Sequence, residues 1–377
     1  MANKALEDHL FSPGPKRILA LDGGGIRGLL TVQMLKKIEA MIRERSGNEK
    51  MVLSDYFDLI GGTSTGAIIA ATLALGWDVA RIEAIYRELG NSIFESEFFR
   101  RGLLRPKFSA EPVKQALERE FSTIRLGDDN LRTGLAVITK RFDTGSTWVI
   151  HNNPKGRYYH QRPGSKALAN KDYLLRSVVR ASTAAPTYFE PERIQISDDV
   201  EGGFVDGGVS PHNNPALQLL MLATLKGHEL NWSTGEQNLL LVSLGTGSRD
   251  LNMGADEVVD MKPVALGIRG LSALMGDTSV LNEQILQWLS TSPTARQIDR
   301  EVGDLTEDLP GGKSLLTYLR YDVNFDEGWV AKLVSDEDLE SIHEMDKPEN
   351  MDALARLGQA AAERISDSHF PTHFDVK

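Results

Sequence analysis

The sequence predicts an α/β protein: a mostly parallel sheet with helices over both faces. Short, continuously apolar runs of β type alternate with longer runs of helical periodicity, the rhythm of βα units. Two of the β runs end in glycine-rich turns that open onto apolar helical stretches. The 377 residues, 41% apolar and 25% charged, supply a sizeable core and a solvated surface.

Ile18–Leu21 reads as the first strand, followed by a helix in which Leu30, Met34, Ile38, Met41 and Ile42 recur at helical spacing. Tyr56–Ile60 reads as the second strand and leads into the apolar run Ala67–Leu75. Residues 77–90 and 111–121 read as helices, Leu135–Thr139 as a third strand, Phe204–Val205 as a short one, 212–226 as a helix and Leu239–Leu244 as a further strand. Helical patterning resumes at 271–289 and at 351–365, the latter with Met351, Leu354, Leu357 and Ile365 on one side. The Gly- and Asp-containing stretch 245–262 is the expected boundary. The organisation is then an extension over 1–15, a core unit over 16–250, and a mostly helical portion over 251–377 packed on it.

The chain has no cysteine, which excludes disulfides, thiol catalysis and thiolate metal sites. The longest apolar run, Ala67–Leu75 broken only by Thr72, is too short to span a bilayer. The first residues lack the apolar stretch of a secretory signal, so a cytoplasmic location is expected. The net charge of −11 is uneven: residues 301–350 hold 14 acidic against 4 basic side chains, while the rest is nearly balanced. That block reads as a solvated face. The chain has no clustered basic footprint, so no nucleic-acid partner is expected.

The second glycine turn, Gly62-Thr63-Ser64-Thr65-Gly66, is G-x-S-x-G between a strand and a helix. In that context a serine hydroxyl is exposed on a sharp turn at a helix N-terminus, where negative charge is favoured. Ser64 is the candidate nucleophile. In the first turn Gly23, Gly25 and Gly28 fit G-x-G-x-x-G, which also suits a dinucleotide. That use requires an acidic residue at the end of the next strand, and Ile60-Gly61-Gly62-Thr63-Ser64 supplies none. The preferred reading of Gly23, Gly24 and Gly25 is a nest of backbone amides aimed at a developing oxyanion. Arg27 either adds positive charge there or pairs with an acidic neighbour.

A nucleophilic serine needs a base. Among eight histidines, His212 would have to serve in a Ser–Asp–His triad, as it follows Asp206 by six residues. Yet Asp206 itself ends the run Gly202-Gly203-Phe204-Val205-Asp206-Gly207-Gly208, exposed by flanking glycines. Once desolvated, such a carboxylate takes the proton directly. The residues alone leave dyad and triad open.

The ordered set Asp22–Gly28 (D-G-G-G-x-R-G), Gly62–Gly66 (G-T-S-T-G) and Asp206–Gly208 (D-G-G) resembles the patatin-like phospholipase family. Ala184-Ala185-Pro186, Asn213-Asn214-Pro215 and Ser243-Leu244-Gly245-Thr246-Gly247 extend the resemblance, which runs from about Arg17 to about Gly247. It implies a three-layer α/β/α sandwich and hydrolysis of acyl esters, usually of phospholipids or lysophospholipids. It puts the nucleophile on Ser64, the general base on Asp206 and the oxyanion hole on Gly23, Gly24 and Gly25, with Arg27 nearby. It implies no metal and no organic cofactor. Three other readings share these residues: a short-chain esterase or thioesterase with the same dyad, an anti-phage phospholipase effector activated by a cyclic nucleotide, and a dinucleotide-binding protein using Gly23–Gly28. Residues 93–107 mix Phe94, Phe98, Phe99 and three aliphatic residues with Arg100, Arg101, Arg105 and Lys107. They are expected either to touch a membrane surface peripherally or to pack as a lid.

Overall fold

The computed structural model describes residues 4–94, 108–249 and 253–376. Its strands are β1 (Lys16–Leu21), β2 (Leu59–Thr63), β3 (Gly134–Arg141), β4 (Ser146–His151), β5 (Glu192–Ser197), β6 (Val200–Asp206), β7 (Leu239–Leu244) and β8 (Thr317–Tyr321). Its helices are α1 (Lys4–Phe11), α2 (Gly28–Ser46), α3 (Leu53–Tyr56), α4 (Thr65–Ala74), α5 (Val79–Phe94), α6 (Glu111–Phe121), α7 (Leu175–Ser182), α8 (Ala216–Thr224), α9 (Ala255–Val259), α10 (Pro263–Trp288), α11 (Asp336–Ser341) and α12 (Met351–Ala362).

Strands β8, β7, β1, β2 and β3 lie side by side and parallel. β4 and β6 pair antiparallel with β3, and β5 pairs antiparallel with β6. Side chains alternate across the sheet as strand geometry requires. Leu19, Leu21, Ile60, Leu240 and Val242 enter one buried cluster with residues of α2, α4, α5, α6, α7 and α12. Ile18, Ala20, Leu59, Leu239 and Leu241 enter the other, with α1, α8 and Leu286 of α10. This is the expected α/β sandwich with helices on both faces. Burying each of these aliphatic side chains contributes about 1.5–3 kcal/mol.

The pairing of β3 sets where β2 and β6 end. β4 runs along β3 from Ala136 to Arg141, so it occupies one edge for that whole length. β2 pairs with Gly134–Ile138 and β6 with Thr139–Arg141, and both overlap β4 in register. They must therefore share the opposite edge, end to end. β2 stops at Thr63 opposite Ile138, and β6 stops at Asp206 opposite Thr139. Two chain turns thus meet at one point on the sheet.

Several sequence expectations shift. Tyr56 closes the helical turn α3 instead of opening a strand, and β2 begins three residues later. A short apolar run does not tell a buried helical turn from a strand. α10 starts at Pro263, eight residues before its apolar periodicity is evident, with proline in the first turn, where its missing N–H costs nothing. Counting unbroken apolar residues misses what averaging shows: Pro263–Trp288 is long and apolar enough to cross a membrane. The segment after residue 250 adds β8 to the sheet and lays α12 on α2, where Gly358 allows the approach. A Cβ there would lie 2.9 Å from the Leu30 Cα.

Candidate active site

Ser64 occupies the turn between β2 and α4 at φ 55°, a left-handed conformation that costs a non-glycine residue about 1–3 kcal/mol. The neighbouring glycines show why the chain tolerates it. A Cβ on Gly62 would lie 2.1 Å from the Gly66 carbonyl oxygen, and one on Gly66 would lie 2.3 Å from that of Leu21. The Ser64 amide donates to Ser182 Oγ at 2.8 Å, and the Ser182 hydroxyl donates in turn to the Ile138 carbonyl at 2.6 Å. The strained turn is therefore pinned to β3 through the end of α7.

Ser64 Oγ donates to Asp206 Oδ2 at 2.5 Å. The other Asp206 oxygen accepts the Gly208 N–H at 2.7 Å, and the Asp206 amide donates to Ala184 at 3.0 Å. Gly207 lets the corner reach β3, since a Cβ would stand 2.3 Å from the Ile138 oxygen. Burial pushes the Asp206 carboxyl up to about 6, against the opposing pull of the Ser64 hydroxyl, the Gly208 amide and the Arg180 charge. Arg180 is itself buried and donates to the Glu190 carbonyl at 2.8 Å.

The first glycine turn lies against this pair. A Cβ on Gly23 would be 3.1 Å from Ser64 Cβ. The turn is braced on several sides. The Gly23 amide donates to the Asn213 carbonyl at 3.1 Å, and the Gly23 carbonyl accepts from Thr246 Oγ1 at 2.8 Å. The Gly25 carbonyl accepts from the Tyr86 hydroxyl, and Ile26 N–H donates to the Met345 carbonyl at 2.9 Å. Gly25, at φ 60°, has no room for a side chain because Met345 fills the space. Arg27 folds back to the carbonyls of Gly24 and Gly247 at 3.3 and 3.2 Å, so it supports the turn through backbone oxygens. Asp22, just before the glycines, accepts from Arg320 of β8 at 2.8 Å; Arg320 also reaches Ser243 and Asp322.

The structure thus brings Ser64, Asp206 and the Gly23–Gly25 turn together. It does not bring in the His212 imidazole. That residue's carbonyl accepts from Thr63 Oγ1 at 2.6 Å, while Nδ1 is buried with no hydrogen-bond partner, and burial holds the ring below its usual value. Ser182, Arg180 and Arg320 do not stand out in the sequence, because each acts from a distant element on a backbone group or a charge, and nothing local to Thr246 shows its bond to Gly23. Of the segment 93–107, residues 95–107 lie outside the described residues, as do the side chains of Ile93 and Phe94. Among the described residues, no three imidazole or carboxylate side chains are grouped to hold a metal ion.

A family profile described as patatin-like phospholipase matches residues 19–220, more than half of the chain and all of the residues that meet at Ser64 and Asp206. The chain belongs to the patatin-like phospholipase family. It is 30% identical to Patatin-17 of Solanum cardiophyllum over 249 residues, 61% of this chain and 60% of that protein. It is 32% identical over 214 residues to a cGAMP-activated phospholipase of Vibrio cholerae, covering 53% of this chain and 56% of the relative. It is 25% identical over 241 residues to a cGAMP-activated phospholipase of Escherichia coli, covering 63% and 64%. The chain thus spans less than two thirds of the length of each of these relatives. Among solved structures, VipD of Legionella pneumophila aligns over 93% of this chain and 67% of its own at 13% identity and a TM-score of 0.37. In this patatin-like chain the family match ends near α8, so β8, α10 and α12 lie beyond it.

Proposed function

We propose that this protein is a lipid acyl hydrolase of the phospholipase A or lysophospholipase type, working through an acyl-Ser64 intermediate. The observation that carries the reading is the 2.5 Å hydrogen bond from Ser64 Oγ to a buried Asp206 carboxylate. As Oγ attacks the ester carbonyl carbon, Asp206 takes the hydroxyl proton. The carbonyl oxygen gains negative charge and is met by backbone amides of the first glycine turn. The Gly23 amide donates to the Asn213 carbonyl at 3.1 Å and the Gly24 amide to Thr65 Oγ1 at 3.3 Å, so Gly25 is the member assigned to that role, joined by Gly24 when it exchanges its long bond to Thr65. Collapse expels the lipid alcohol, which recovers the proton from Asp206. Water then attacks the acyl-serine with Asp206 taking its proton; as the acyl bond to Ser64 Oγ breaks, Asp206 returns that proton to Oγ and the fatty acid leaves. The position of Gly23 beside Ser64 favours this use of the turn over dinucleotide binding.

The test is release of fatty acid from phosphatidylcholine and lysophosphatidylcholine by purified protein, together with Ser64→Ala. Hydrolysis by wild type and none by the variant supports the reading, and equal release by both refutes it. Likeness to two cGAMP-activated phospholipases favours a second reading, in which the same dyad is switched on by a cyclic dinucleotide in the cytoplasm. Adding cGAMP to the assay separates the two: constitutive turnover supports the first, and turnover only with the nucleotide supports the second.

A further inference from the structure

The first half of helix α10 is largely apolar, yet the fold leaves it uncovered. By length and composition the helix could cross a membrane, yet its most apolar stretch is not buried. Val264, Leu266, Leu274 and Leu281 are 64, 48, 58 and 51% exposed, and Val259 of the adjoining α9 is 82% exposed. From Pro263 to Leu281 the only charges are Arg269 and Asp277, which cancel. The hydroxyls of Thr278 and Ser279 are satisfied by the Met275 carbonyl within the helix. A helix with this composition is normally buried in a core or in a membrane.

The other half of α10 is fixed to the candidate active site. Asn282 donates to the carbonyls of Pro211 and Asn214 at 2.8 and 3.0 Å, on the loop that follows Asp206. Leu286 is fully buried under the sheet. The Met275 methyl lies 3.3 Å from where a Gly208 Cβ would be, and the Gly208 amide holds Asp206. The uncovered apolar surface is therefore continuous with the reacting groups.

We infer that the free end of α10, residues 263–274, enters a lipid bilayer and seats the Ser64–Asp206 site at its surface. The occupant is lipid and not a second copy of the chain. Residues 262–267 are exposed all round, whereas a helix–helix seam covers one stripe and leaves the remainder in water. The twelve helical residues 263–274 extend about 18 Å, so the free end reaches into the roughly 30 Å hydrocarbon core of a bilayer without crossing it. This inference rests on the acyl-hydrolase reading for its purpose but not for its test.

The experiment is flotation of full-length protein with phosphatidylcholine vesicles, in a Ser64→Ala background so that the lipid is not consumed. Leu266→Asp/Leu274→Asp should lower vesicle binding at least tenfold at unchanged thermal unfolding, and Val264→Asp should act in the same direction. Binding should be equal at low and high salt, because phosphatidylcholine vesicles carry no net charge. With Ser64 present, the double variant should cut a soluble short-chain ester within twofold of wild type. Unchanged flotation of the variants would overturn the inference, as would a variant that binds vesicles normally but sediments as a smaller species, which would make the helix a subunit contact. Wild type that floats but cuts no ester would support docking and refute the acyl-hydrolase reading. Wild type that cuts the soluble ester but stays off vesicles would overturn docking alone.

Discussion

Asp58 and Asp206 are both sealed carboxylates at the two ends of β2, and their surroundings hold opposite protonation tendencies. Asp58 precedes the strand. It accepts the Arg17 amide at 2.8 Å, the Arg17 guanidinium at 2.9 and 3.0 Å and the His9 ring nitrogen at 2.9 Å. Burial pushes it up, but the His9 hydrogen bond and the Arg17 charge outweigh that, so its carboxyl is held below the ordinary range. Asp206 meets the other end of the strand with a neutral hydroxyl, a single backbone amide and a more distant arginine, and burial wins, to about 6. Equal burial therefore yields a fixed anion at one end and a proton acceptor at the other. The deciding factor is whether a full positive charge touches the carboxylate.

The comparison breaks most sharply if the Asp206 end is not the reacting one. Ser64→Ala and Asp206→Ala should each lower kcat for ester hydrolysis by at least about 10³-fold, and the double variant should be little worse, because the pair acts as one unit. Steady-state kinetics on a soluble ester checks this; an Asp206→Ala enzyme within tenfold of wild type would return the base to His212. Gly24→Ala should cost about 10²–10³ in rate and also lower thermal stability, since its Cβ would lie 2.1 Å from Thr246 Oγ1. At the other end, Asp58→Asn should destabilise the fold by about 3–5 kcal/mol by leaving Arg17 without its anion. It should leave kcat per folded molecule unchanged, measurable by denaturant unfolding beside active-site titration.

The two carboxylates should also answer pH in opposite senses. The stability that Asp58 contributes is present above its unfolded value and is lost as pH falls through its lower folded one. Asp206 has a raised folded value, so its contribution is full below the unfolded value and is lost as pH rises through about 6. Its ionisation thus costs the folded state on the order of 2–3 kcal/mol at neutral pH. Asp206→Asn should raise Tm at pH 7.5 by a few degrees, and the gain should vanish near pH 4. In wild type, kcat/KM should fall about tenfold per pH unit below roughly 6 as the base is protonated. The smallest effect belongs to His212→Ala, expected to stay within about threefold of wild-type turnover in the same assay, because its ring meets neither Ser64 nor Asp206.

What was legible in the sequence follows from which residues are constrained locally. Gly62, Gly66 and Gly207 mark places where a Cβ would strike backbone, so the turns that carry Ser64 and Asp206 announce themselves. The buried parallel strands β1, β3 and β7 read directly as apolar runs, and α6 matches its expected 111–121 because its apolar spacing is clean. β4, β5 and β8 were missed: Ser146–His151, Glu192–Ser197 and Thr317–Tyr321 mix polar and apolar residues over too few positions to show a period. Ser182 and Arg320 were missed for another reason. Their partners are 118 and 298 residues away, and no local pattern records such contacts.

Because β2 and β6 abut on one edge of β3, the gap between Ser64 and Asp206 is ruled by a single template strand and not by the 142 residues that separate them in sequence. Slipping β6 by one position along β3 would shift the carboxylate about 3.3 Å and turn it to the opposite face of the sheet. Lengthening the connections that wander between the two strands would leave the distance alone. The geometry of the pair is in this sense modular: the intervening loops and helices can be rebuilt, exchanged or enlarged while Ser64 and Asp206 stay in place.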